Sequence, residues 1–109
     1  MKLLFKLLIS ITMLIVAANA QTIKVGTNAT YPPFEFVNEQ NQITGFDMDL
    51  MAEIAKKVGF KFEIVNISFD SLIPALKAGK IDIIAAAMSA TPERLKAVDF
   101  SKPYYHTMN

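Results

Sequence analysis

Ile81-Asp82-Ile83-Ile84-Ala85-Ala86-Ala87-Met88-Ser89-Ala90-Thr91-Pro92-Glu93-Arg94 is the stretch on which the reading of this chain turns. Its first five residues are apolar except for Asp82, which marks a strand buried on both faces, as strands of parallel sheets are. Small residues follow, and Thr91-Pro92 opens a helix. A hydroxyl residue caps well there, and proline at the first helical position loses no needed N–H. The free N–H groups of that first turn and the positive end of the helix dipole suit an anion. Arg94, in the same turn, can grip a carboxylate through two parallel hydrogen bonds. It is the only arginine among eleven basic residues. The corner Ala85–Arg94 therefore reads as the holder of a small ligand's carboxylate.

Upstream, Ile23-Lys24-Val25-Gly26-Thr27 alternates apolar and polar and reads as a first strand. Asn28-Ala29-Thr30-Tyr31-Pro32-Pro33 follows as a rigid loop, kept free of regular structure by its prolines. Phe34–Val37 is a short extended piece and Asn38–Gln42 a polar turn. A helix is expected from a cap at Asp47 to about Val58, ended by Gly59, with Phe46, Leu50, Ile54 and Val58 facing a core. Phe60, Phe62 and Ile64 mark a second strand. Ser68 or Asp70 starts a second helix through Leu76, ended by Gly79, with Pro74 in its first turn. A third helix runs from Thr91 to about Val98, and Asp99–Tyr105 is an extended connector.

Strands alternating with helices argue for an α/β fold with a parallel sheet flanked by helices. Ligands of such sheets bind beyond the carboxyl ends of the strands. That topology brings Asn28–Tyr31, Ser68–Phe69 and Ala86–Arg94 around one cleft. Each candidate has a plainer alternative. Tyr31 and Phe69 could be packing residues, Ser89 a turn hydroxyl, and Arg94 a surface partner of Glu93 or Asp99.

The 109 residues suffice for one small domain. Lys2 and Lys6, the apolar run Leu7–Ala18 and the small-x-small triplet Ala18-Asn19-Ala20 form a secretory signal peptide over residues 1–20, cut before Gln21. The apolar run falls short of the roughly 20 residues that a membrane span needs. Without the leader and its two lysines, 89 residues carry nine basic and ten acidic groups, a net charge of −1. That balance offers no basic surface for nucleic acid. Cysteine is absent, which excludes disulfides, thiolate catalysis and a lipid-anchoring cysteine after the leader. His106, the only histidine, has no ligating neighbours, so no metal or other cofactor is expected. No G-x-S-x-G, H-E-x-x-H or phosphate loop occurs. The expected product is exported and periplasmic.

Several stretches together resemble a known family. Gly26–Phe36 (GTNATYPPFEF), Gly45–Leu50 (GFDMDL), Leu72–Asp82, Thr91–Arg94 and Val98–Tyr105 are similar, in this order, to bacterial extracellular solute-binding proteins of family 3. These are the polar amino-acid receptors of ABC importers. The resemblance implies a periplasmic-binding-protein-like (type II) architecture of two α/β lobes closing over the ligand. Residues 21–105 would be an incomplete lobe 1, residues 106–109 the start of the crossover, and the second lobe would be missing.

It further implies that Arg94 clamps the α-carboxylate, with the Ser89 hydroxyl and backbone N–H groups near Ala87 and Ser89. Tyr31 and Phe69 would line the ligand side chain. Asn28 stands where the family often carries an aspartate for the α-ammonium, so that charge is lost here. Partners would be a small amino acid and the membrane permease subunits, with the receptor itself a monomer. A single lobe is expected to bind weakly or not at all, and to leave sheet edge and apolar helix faces exposed. Two alternatives share the scaffold: an enzyme of the cyclohexadienyl dehydratase kind, and the ligand-sensing domain of a receptor.

Overall fold

A computed structural model describes residues 22–107, so the leader expected over residues 1–20 lies outside the described residues. Ile23–Thr27 forms β1 with the bounds read from its alternation. It is the central strand of a parallel sheet ordered β5-β1-β6, where β5 is Phe62–Asn66 and β6 is Ile83–Ile84. Val25 lies opposite Ile64 on one side and Ile83 on the other. The helices are α1, Phe46–Val58, between β1 and β5, and α2, Phe69–Lys77, between β5 and β6.

The two-residue period of the strands divides the apolar residues between two cores. Ile23, Val25, Phe62, Ile64, Ile83 and Ala85 pack with Met48 and Met51 of α1. Val65, Ile67, Ile84 and Ala86 pack with Leu72, Ala75 and Leu76 of α2 and with Ile81. Gly26 faces the second core, where an added Cβ would come within 2.4 Å of Ile81 Cδ1. The result is a sheet with a helix on either face, the expected class of fold.

The α1 stripe differs from expectation. Asp47, Met48, Met51 and Ala55 are buried, whereas Phe46, Ile54 and Val58 are exposed. A strict four-residue series drifts around a 3.6-residue helix by about 40° per step, so it leaves the core face within two turns. Spacings of three and four, as at 48, 51 and 55, stay on it. Leu50 and Ile54 instead line, with Ile83, Ile84, Val98 and Phe100, an apolar groove of about 370 Å³ beside β6. Asp47 is not the cap either. Gly45 holds the N-cap position without a side-chain bond, and Asp47 sits buried in the first turn. Gly59 ends the helix in the left-handed conformation, as expected.

Three further expectations shift. The loop with the prolines contains a short strand, β2, Thr30–Tyr31, paired antiparallel with β3, Glu35–Val37, which pairs in turn with β4, Ile43–Thr44. Pro74 lies in the second turn of α2, on an exposed position where water can reach the carbonyl freed by its missing N–H. β6 is only two residues long and half-buried. The Asp82 N–H donates to the Lys24 carbonyl at 2.8 Å while its carboxylate, in place of a backbone carbonyl, accepts the Lys24 N–H at 2.8 Å, and β6 itself lies at the sheet edge.

Gly45 joins β4 of the small antiparallel sheet to α1. At φ 128° and ψ −177° it occupies a region reserved for glycine, and an added Cβ would lie 2.4 Å from the Phe34 carbonyl oxygen. That carbonyl accepts the Asp47 N–H at 3.0 Å. Gly45→Ala is therefore expected to destabilise the fold by at least about 2 kcal/mol in urea unfolding.

Candidate ligand-binding cleft

The last helix, α3, is a single turn, Pro92–Leu95, shorter than the reading to Val98. Thr91 caps it as expected, its Oγ1 accepting the Arg94 N–H at 3.2 Å. One turn carries little dipole, and Thr91 already takes the Arg94 N–H, so the anion preference of this corner rests chiefly on the Arg94 side chain. The guanidinium donates from Nη1 to the Ser89 carbonyl at 3.0 Å and lies 5.2 Å over the Phe69 ring centroid. Its recorded partner is thus Ser89 rather than Glu93 or Asp99. One N–H is used and the fork keeps donors for a carboxylate.

Beside this corner a cleft of about 450 Å³ opens at the carboxyl ends of the strands. Tyr31 and Phe34 form one part of its lining, the strap Ala87–Ala90 a second, and the connector Phe100–Thr107 a third. Tyr31, Ala87 and Ser89 therefore share a cleft, while Phe69 and Arg94 pair next to it, with Ser89 common to both. The Tyr31 ring is half exposed and packs 5.4 Å from Phe34.

Asn28 and Ala87 are placed differently from the rest. The Asn28 Nδ2 donates to the Ile67 carbonyl at 2.9 Å, and its Oδ1 accepts the Thr30 hydroxyl at 2.7 Å. With the Asn66 Oδ1 accepting the Ala29 N–H at 2.9 Å, it stitches the loops after β1 and β5 together. The Ala87 N–H, expected to face a ligand, donates instead to Asp47 Oδ2 at 2.7 Å.

Asp47 is one of the residues that the sequence reading missed as part of this site. Its Oδ1 accepts the Tyr104 hydroxyl at 2.7 Å, which ties the connector to α1. Phe46 stacks on Tyr104 at 6.0 Å, and Phe34 meets Tyr105 edge-on at 4.9 Å. Glu35, also 1% exposed, leaves its Oε2 without a partner among the described residues. Burial, then a hydrogen bond and charge repulsion from Asp47, push its carboxyl up to about 9. Burial and the same neighbours, Asp47 and Glu35, also raise the Tyr104 hydroxyl. The available signal was Glu35 itself, an acid between Phe34 and Phe36 in a short apolar strand. Among the described residues no group of three histidine, cysteine, aspartate or glutamate side chains is placed to hold a metal.

Residues 23–109 match the family of bacterial extracellular solute-binding proteins, family 3. The chain belongs to this family. A protein of Campylobacter jejuni named "Probable histidine-binding protein" is 58% identical over 88 residues, covering 81% of this chain and 34% of the relative. The ABC transporter arginine-binding protein 1 of Escherichia coli is 46% identical over 89 residues, covering 82% of this chain and 37% of that protein. This family 3 chain thus spans about a third of the length of the curated relatives it matches. Among solved structures, the arginine-bound form of domain 1 from TmArgBP, of T. maritima, superposes with a TM-score of 0.75 at 50% identity. The match covers 77% of this chain and 67% of that one.

Proposed function

We propose that this chain supplies the amino-acid-binding lobe of a periplasmic receptor for an ABC importer, and that its ligand is a basic amino acid of the arginine and histidine class. The observation that carries this reading is the Ser89–Arg94–Phe69 arrangement beside the cleft, which shares Ser89 with it. A guanidinium is held there between a carbonyl and an aromatic face, with donors left for a carboxylate. In this reading Arg94 and the Ser89 hydroxyl take the α-carboxylate, while Tyr31 and Phe69 line the side chain. Ala87 forms wall rather than donor, and Asn28 fixes the loop that carries Tyr31. A cleft of about 450 Å³ suits one amino acid.

The ligand preference follows the names of the relatives, which are binding proteins for histidine and arginine. Those names favour capture over catalysis and lend nothing to the dehydratase or sensor alternatives. The remaining proposals are a leader removed after residue 20, a lobe over residues 21–105 with the crossover starting at 106, a monomeric receptor and permease subunits as partners. Calorimetry of the purified chain with arginine, histidine, lysine and glutamine tests the reading. Saturable heat with a basic amino acid is expected, and none with any of the four would overturn it.

A further inference from the structure

Two of the three parts of the cleft lining, the strap Ala87–Ala90 and the connector Phe100–Thr107, have little regular structure of their own. Both meet at one buried carboxylate. We propose that Asp47 is a positioning residue of the cleft: Oδ2 fastens the strap through the Ala87 N–H, Oδ1 fastens the connector through the Tyr104 hydroxyl, and one side chain thereby sets both walls. The proposal rests on the reading of this cleft as an amino-acid site.

The geometry requires a strong holder at Ala87. Its φ is 48°, a left-handed conformation disfavoured for any residue with a Cβ. A short hydrogen bond to a buried carboxylate is the kind of contact that holds such a residue in place. Two residues on, Ser89 presents its carbonyl to Arg94, so the turn at Ala87 sets where the guanidinium sits. Asp47 cannot drift, because its own N–H is bonded to the Phe34 carbonyl and α1 is anchored by Met48 and Met51 in the core. The groups that face it are Ala87 from the strap, Tyr104 from the connector and Glu35 from β3. Glu35 holds its proton beside Asp47, so the carboxylate is not opposed by a second negative charge.

Three variants of the chain test this: Asp47→Asn, Asp47→Asn with Ala87→Gly, and Tyr104→Phe. Amide hydrogen exchange at Ala87 is compared with that at Val25 in β1, and arginine is titrated calorimetrically. Asparagine can accept the Ala87 N–H through Oδ1 and donate Nδ2 to the Tyr104 hydroxyl oxygen, but both fastenings then lose their charge and weaken. Asp47→Asn is expected to speed exchange at Ala87 by about tenfold with Val25 unchanged, and to weaken arginine binding by a similar factor. Adding Ala87→Gly should restore most of that binding, since glycine adopts the left-handed turn unaided. Unchanged exchange at Ala87, or a loss shared equally by Val25, overturns the proposal.

Wild-type chain that fails to bind arginine counts against the ligand reading alone, because the exchange comparison needs no ligand. Should Asp47→Asn not fold, Tyr104→Phe decides through backbone NMR relaxation at Tyr105. Increased mobility there supports the fastening, and unchanged mobility overturns it.

Discussion

Arg94→Ala should weaken amino-acid binding by about 2–3 kcal/mol, a loss on the order of a hundredfold. Arg94 is half-buried, with its guanidinium over the Phe69 ring and Nη1 on the Ser89 carbonyl. Truncation removes the charge and also frees the strap carbonyl that it holds. Partial exposure keeps the figure below that of a fully buried pair, since water can take up part of the stranded carboxylate. Arg94→Lys restores the charge without the planar fork, and should recover only part of the loss. Calorimetry against arginine and histidine, with thermal melts to confirm folding, measures both variants. Full affinity in Arg94→Ala would make Arg94 a surface residue and remove the carboxylate corner from the site.

Glu35→Gln should stabilise the chain above neutral pH and flatten its pH dependence. In the folded state the carboxyl is pushed up to about 9, from an ordinary 4.5, chiefly by burial. Between those values the unfolded chain has released this proton and the folded chain has kept it, so folding takes a proton up. Stability from this group is therefore complete below pH 4.5 and is lost as pH rises towards 9. The slope is at most about 1.4 kcal/mol per pH unit. Glutamine keeps the shape, stays neutral and still donates towards Asp47. Its advantage at pH 8 should be a few kcal/mol, at most about 5, and vanish near pH 4. Other carboxylates titrate in both proteins, so urea unfolding of the pair at several pH values isolates Glu35. Parallel curves would show that Glu35 ionises normally.

The parts of this fold legible in the sequence are those where a period repeats. β1 has the bounds its alternation implies, and the parallel order followed from strands separated by helices. The face of α1 was misjudged because a four-residue series imitates a helical stripe over one turn and departs from it over three. Asp47 was misread for a statistical reason: acids near helix starts are common for dipole and capping causes, and those gave no hint of a buried role. The convergence of Ser89, Arg94 and Phe69 was legible because strand order fixes where loops meet. The connector wall was not. Its position depends on Tyr104 meeting Asp47 across 57 residues of sequence, and no local pattern encodes such a contact.

The alternation of the three parallel strands between two cores bears on how such a lobe acquires new preferences. Every apolar side chain of β1, β5 and β6 is committed to one core or the other, so drift within the strands is filtered by folding. The residues proposed to meet the ligand stand beyond the strand ends, on the loop of Tyr31, at the start of α2 and along the strap. Substitutions there alter recognition while the packed layers are left intact. On the proposed reading of the cleft, a lineage carrying this architecture is free to change what it binds without first surviving a loss of fold.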